Sequence, residues 1–149
     1  MSSKYNSLLS ILKKTEYSFD KNTIDKHCVD WRGNYKGSSD IIFFPKSIIS
    51  IKKIVKFCFN KNIPIVPQGG NTSLVGGSVP RLNKGEIIIN LCKLNKIREI
   101  DVISNTITVE SGCVLQNVND KLEEHNLQMP ISLGSKGSCQ IGGNIATNA

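Results

Sequence analysis

The chain has 149 residues, a formal charge of +7 at neutral pH, and 39% hydrophobic, 6% aromatic and 21% charged residues. That balance suits one domain, or part of one, with a packed core and excludes intrinsic disorder. No apolar run approaches the roughly 18 residues a membrane span needs, so a soluble protein without a span is expected.

The positive charge is uneven: residues 1–60 hold eleven Lys or Arg against five Asp or Glu, and residues 61–149 hold eight against seven. Of the 19 basic residues only Arg32, Arg81 and Arg98 are Arg, and the Lys, Ile and Asn bias fits codon supply from an AT-rich genome. Base readout favours the planar fork of Arg, and single-strand binding needs clustered aromatics. Neither is present, so the basic N-terminal half reads as a solvated face with no nucleic-acid partner. Cys28, Cys58, Cys92, Cys113 and Cys139 form no CxxC pair. Behind an N-terminus without an apolar signal core, they read as reduced thiols of a cytoplasmic protein. His27 and His125 stand alone, so no metal site is expected.

In chain order, Leu8, Leu9, Ile11 and Leu12 among Ser and Lys predict a short amphipathic helix. A polar stretch follows, through Asp30 to Gly37, and reads as loop. Residues 41–44 have the composition of a buried strand, ended by Pro45. Ser47 is a candidate N-cap for a helix whose apolar face would be Ile48, Ile51, Ile54, Val55, Cys58 and Phe59, with Lys52, Lys53 and Lys56 opposite. Residues 63–66 complete a strand–helix–strand unit whose strands should pair in parallel. Strand signals resume at 87–91. Residues 97–103 and 106–110 flank Ser104-Asn105 and predict an antiparallel hairpin; Val114, Leu115, Val118 and Leu122 then predict a helix ending near Asn126. The class is mixed α and β.

Two stretches fit neither period. The first, Pro67-Gln68-Gly69-Gly70-Asn71-Thr72-Ser73-Leu74-Val75-Gly76-Gly77-Ser78-Val79-Pro80, lies just past a strand end, where open α/β sheets hold ligands. Its glycines can take positive φ and let a ligand approach, and inward N–H groups would make a nest for phosphate oxygens beside Asn71, Thr72 and Ser73. That chemistry suits a pyrophosphate. The second runs from Leu133 to Ala149, with Gly142-Gly143-Asn144-Ile145-Ala146 shaped like a tight turn feeding a helix N-terminus. Neither GxxxxGK[ST] nor GxGxxG is present, which disfavours a P-loop or Rossmann site. Two cradles predict one extended ligand held along its length.

Read as PQGGNTSLVGGSVP and LGSKGSCQIGGNIATNA, the two stretches closely resemble the FAD-binding domain of the vanillyl-alcohol oxidase and p-cresol methylhydroxylase (PCMH) superfamily. Within it the match is to the D-2-hydroxyglutarate and D-lactate dehydrogenase branch. Asp30-Trp31-Arg32-Gly33-Asn34-Tyr35-Lys36-Gly37 resembles that branch's DWRGxYxG segment, and Glu110-Ser111-Gly112-Cys113-Val114-Leu115 its ExGCVL segment.

The resemblance implies an α+β, PCMH-type FAD-binding fold: a small parallel β-α-β subdomain followed by a mixed or antiparallel sheet subdomain, incomplete at the C-terminus. Residues 1–37 would lead into the domain and 38–149 would form its N-terminal part, with the substrate domain absent. Pro67, Gln68, Gly69, Gly70, Asn71, Thr72, Ser73, Gly76, Gly77 and Ser78 would wrap the FAD pyrophosphate and nearby ribityl chain. Leu133, Gly134, Gly137, Ser138, Gly142, Gly143, Asn144 and Ala146 would line the flavin and the rest of the dinucleotide. Asn71 stands where some superfamily members carry the His that binds FAD covalently, so a non-covalent flavin is implied. Cys139 reads as a small buried residue beside the cofactor. The implied reaction is oxidation of a D-2-hydroxy acid of the D-2-hydroxyglutarate, D-lactate or glycolate type, by hydride transfer to flavin N5. In relatives the groups that hold the carboxylate and take the hydroxyl proton come from a C-terminal substrate domain, so no catalytic residue is assigned in this sequence. The alternatives are a non-catalytic remnant or one half of a split flavoenzyme. Enolpyruvyl-sugar reductases share the flavin domain but lack the DWRGxYxG pattern.

Overall fold

The structure, a computed structural model, describes residues 3–149; Met1 and Ser2, at the start of the leading segment, lie outside the described residues. The chain divides into two compact units. One takes in the chain up to Gln68 and returns for Ser73–Asn90; the other takes in Gly69–Thr72 and Leu91–Ala149.

The first unit contains α1 (Asn6–Leu9), β1 (Tyr17–Ser18), α2 (Lys21–His27), β2 (Ile42–Phe43), α3 (Ile48–Asn60), β3 (Ile65–Gln68) and β4 (Ile87–Asn90). The four strands lie in the order β1-β2-β4-β3, with β1 antiparallel to β2 and the other pairs parallel. The strands flanking α3 therefore do not pair with each other, contrary to the sequence expectation; each pairs with β4, which stands between them. All four β4 residues are buried, as a central parallel strand requires.

Ser47 caps α3 as predicted, its hydroxyl accepting the Ser50 N–H at 3.1 Å. The buried face is different from the predicted one. Ser50, Ile54 and Cys58 face inward at four-residue spacing, while Ile48, Val55 and Phe59 are exposed, Phe59 to 81%. This helix carries more apolar residues than one face can bury. α2 falls in the stretch whose composition predicts loop; only Ile24 of its seven residues is buried, so no apolar stripe announces it. Its start is fixed instead by Asp20, whose carboxylate accepts the Thr23 N–H at 2.8 Å. At the N-terminus Leu8 and Leu12 are buried and Ile11 is exposed.

The second unit contains β5 (Ile97–Asp101), β6 (Thr106–Val109), α4 (Leu115–Glu123) and α5 (Ile141–Thr147). β5 and β6 form the expected antiparallel hairpin. Asp101 closes its turn by accepting the N–H groups of Ile103 and Ser104, and Asn105 takes φ 52°. Leu115, Val118 and Leu122 of α4 bury against Cys113, Cys139 and Ile141, with Ile97, Ile100, Ile107 and Val109 of the hairpin packed on this core. All five cysteines are unbridged; four are buried and Cys92 is half-buried. No helix among the described residues is long and apolar enough to cross a membrane.

Candidate functional site

Pro67 and Gln68, expected to begin the first cradle, are the last residues of β3, paired with Ile89 and Asn90 of β4. The buried Gln68 amide is fully engaged inside the protein. Its Nε2 donates to the carbonyls of His27 (2.9 Å) and Ser78 (2.8 Å), and its Oε1 accepts from Asn90 Nδ2 (3.1 Å). His27 Nδ1 lies 2.5 Å from the same Oε1 and so carries the proton. The bond to Ser78 ties the two ends of the stretch together.

Between those ends the packing of the chain on itself accounts for two of the glycines. Only Asn71 (φ 54°) and Gly76 (φ 72°) adopt positive φ. At Gly70 an added Cβ would stand 1.9 Å from the Ser138 carbonyl oxygen, so the fold itself demands glycine there. At Gly76 it would meet the Tyr35 ring at 2.7 Å. Gly77 meets only Ser73 Oγ, at 3.7 Å. Thr72 and Ser73 are half-buried, and Ser73 Oγ accepts the Val75 N–H at 3.4 Å.

The segment 30–37 is the platform behind residues 76–80. The Asp30 carboxylate, 2% exposed, accepts the N–H groups of Tyr35 (2.7 Å) and Arg32 (3.3 Å) and holds the turn. That sets the Tyr35 ring against Gly76 and Gly37 against the Pro80 carbonyl, 1.6 Å from where a Cβ would be. Beyond Pro80, burial works against the Glu86 carboxylate, yet the Arg81 backbone N–H (2.5 Å) and guanidinium (2.7 Å) hold it below the usual carboxylate range.

The second stretch is supported by the 110–115 segment. Gly142 and Ile141 donate to the carbonyls of Ser111 (2.8 Å) and Cys113 (2.9 Å), while Leu115 donates to that of Cys139 (3.1 Å). Gly112 is fixed by the Leu91 carbonyl, 2.1 Å from an added Cβ, and Gly142 by Ser111, 2.6 Å away. Gly142 and Gly143 lie inside the first turn of α5 and not in the expected tight turn; the turn comes earlier, where Ser138 and Cys139 donate to the Ser135 carbonyl. Leu133 packs on the core, Asn144 is buried with its Nδ2 3.5 Å from Cys139 Sγ, and Ala146 is exposed.

Gly134, Gly137 and Gly143 are exposed, take no positive φ, and would meet nothing within 4 Å if given a Cβ. Nothing in the fold requires glycine at these three places, but a ligand lying on the backbone would. Gln140, missed in the sequence, is also positioned here. It is 6% exposed, its Oε1 has no hydrogen-bond partner, and it lines a cavity of about 130 Å³ with Asn95, Gly112, Cys113 and Asn117. The available signal was a long polar residue between Cys139 and Ile141. Open glycines and small side chains around the exposed Lys136 fit a dinucleotide pressed against the backbone, and the unpaired Gln140 amide offers a further polar contact.

The family profile described as FAD binding domain matches residues 39–149. The chain belongs to that family. A probable mitochondrial D-2-hydroxyglutarate dehydrogenase from Oryza sativa is 45% identical over 140 residues, 94% of this chain and 25% of that protein. The Danio rerio D-2-hydroxyglutarate dehydrogenase is 44% identical over 87% of this chain and 24% of its own, and a putative D-lactate dehydrogenase from Schizosaccharomyces pombe 41% over 94% and 26%. The chain thus spans about a quarter of the length of these curated relatives. Among solved structures, alkyldihydroxyacetonephosphate synthase superposes with TM-score 0.88 at 21% identity, over 100% of this chain and 29% of that one. p-Cresol methylhydroxylase with substrate bound superposes with TM-score 0.74 at 20% identity, over 99% and 30%. The fold is the α+β, PCMH-type FAD-binding fold, and the chain is an FAD-binding domain of the kind found in oxidoreductases.

Proposed function

We propose that this domain binds FAD non-covalently and serves a dehydrogenase that oxidises a D-2-hydroxy acid of the D-2-hydroxyglutarate, D-lactate or glycolate type. The observation that carries this reading is the 45% identity, over 94% of the chain, to a relative named for D-2-hydroxyglutarate. The open backbone at Gly134, Gly137 and Gly143 supports the cofactor. Asn71, in place of a His that would tether the flavin, supports non-covalent binding. When bound, FAD supplies the hydride acceptor. The chain's own residues hold and orient it: the Gln68–Ser78 tie and the Tyr35 platform set the first stretch, and the 110–115 segment sets the second.

No residue of this sequence is given a catalytic role. Matching a quarter of the relatives' length favours a reading in which oxidation draws on further residues, in a longer protein or a split enzyme. The unbridged thiols favour a reducing compartment, the cytoplasm in this reading.

The 149-residue chain, freed of flavin and titrated with FAD, should quench flavin fluorescence saturably, and acid precipitation should release all the flavin. Absence of binding, or flavin retained in the precipitate, would overturn the cofactor reading. In a protein that joins this sequence to the remainder found in relatives, D-2-hydroxyglutarate or D-lactate should bleach the flavin and the L-forms should not. FAD binding without any bleaching would leave the non-catalytic alternative.

A further inference from the structure

We infer that the Gln140 carboxamide is a ligand-contacting group that accepts a hydrogen bond from a neutral N–H or O–H donor of the dinucleotide and does not face its phosphates. The inference rests on the FAD reading above. Gln140 is more than nine-tenths buried, and its Oε1 has no partner in the protein. A buried amide oxygen left unpaired costs stability, so a group that meets it on binding contributes affinity.

The backbone that carries this side chain is held in place. The Gln140 backbone bridges Val114, its carbonyl accepts the Asn144 N–H at 3.0 Å, and the next residue donates to the Cys113 carbonyl at 2.9 Å. Its Oε1 lies 3.3 Å, and its Cδ 3.7 Å, from where a Cβ on Gly69 would stand. A larger residue at position 69 would press on the amide.

The surroundings select the partner. The cavity beside Gln140 is lined by the carboxamides Asn95 and Asn117, the thiols Cys92 and Cys113, and the apolar Ile97 and Val118. No cation lines it. A phosphate brought there would lose water without gaining a counter-charge, and at neutral pH its oxygens present acceptors to an acceptor. A ribityl or ribose hydroxyl, an imide N–H or an exocyclic amino group supplies the donor that Oε1 lacks.

The test uses the flavin-free 149-residue chain, FAD titration by fluorescence quenching, and near-ultraviolet circular dichroism as the check on folding. Gln140→Met should weaken FAD roughly tenfold or more, and Gln140→Glu, which keeps an acceptor, should weaken it less. Inorganic pyrophosphate should compete equally well with FAD in parent and Gln140→Met. A Met variant within about twofold of parent, or a Glu variant weaker than Met, or a matching loss of pyrophosphate competition, overturns the inference. Should Gln140→Met fail to fold, the Glu variant decides: binding within about threefold of parent supports the inference and a loss beyond tenfold overturns it. A parent chain that binds no FAD overturns the cofactor reading itself, an outcome distinct from a binding parent with an unaffected variant.

Discussion

Gly70 and Gly143 sit in stretches of similar composition, yet a methyl group added at each meets different surroundings: the Ser138 carbonyl at 1.9 Å for Gly70, open space for Gly143. The same division runs through the second unit and the loop around residue 76. Gly70, Gly76, Gly112 and Gly142 are glycine because backbone or an aromatic ring lies where a side chain would go; Gly134, Gly137 and Gly143 are not constrained in this way. Glycine density therefore marks two demands at once. One is close packing of the chain on itself, and the other is close approach by something else. Only contacts separate them.

Substitutions at these positions separate the two demands. The largest effect is expected at Gly70. Gly70→Ala drives Cβ into a backbone carbonyl that cannot rotate away, and should cost about 3 kcal/mol or more of unfolding free energy, with FAD binding lost as a consequence. A urea melt of Gly70→Ala that overlays the parent would remove the packing half of the argument. Gly76→Ala should cost about 2 kcal/mol, because it adds a left-handed backbone penalty to the Tyr35 contact. Pairing it with Tyr35→Ala should recover the contact part only, as a double-mutant cycle in urea would reveal.

Gly143→Ala should move two quantities in opposite directions. Replacing an exposed helical glycine should raise the stability of the flavin-free chain by about 0.5–1 kcal/mol. The same methyl group should weaken FAD roughly tenfold, about 1.4 kcal/mol, if the cofactor lies on that backbone. Stability and affinity falling together, or affinity unchanged, would erase the distinction between Gly70 and Gly143.

Much of the fold was legible because burial imposes a period. The β5–β6 hairpin, α4 and the Ser47 cap follow from alternation, helical spacing and capping chemistry. What was not legible has particular causes. α2 buries one side chain, so it leaves no stripe to read. α3 has apolar residues on two faces, and which face is buried is decided by what packs against it, not by the helix. β4 enters between β2 and β3 after the glycine stretch, a choice of strand order that no local pattern encodes. At the site, the glycine-rich stretches stood out by composition. The internal engagement of Gln68 and the unpaired state of Gln140 depend on partners distant in sequence, and two glutamines look alike until those partners are placed.

A second comparison, smaller in energy, sets Gln140 against Tyr5. Both carry a buried polar atom with no partner, but Tyr5 lies in the first unit's core against Phe19 and Phe57. Burial, assisted by Asp40 and Cys58, pushes the Tyr5 hydroxyl from its ordinary 10.0 up to about 12, and burial pushes the Cys28 and Cys58 thiols from 9.0 up to about 11. Folding therefore favours the neutral forms. Their contribution is complete below the unfolded values and is lost as pH rises through 9 and 10 towards 11 and 12. Urea melts should weaken progressively above about pH 9, and Tyr5→Phe should flatten the part of that decline above about pH 10. At neutral pH the same substitution removes an unpaired hydroxyl while keeping the ring, and should raise stability by about 1 kcal/mol with FAD affinity unchanged. A destabilised Tyr5→Phe would mean that the hydroxyl is paired with water, and an altered FAD affinity would mean that a change in affinity on replacing an unpaired buried atom does not by itself place that atom at the cofactor.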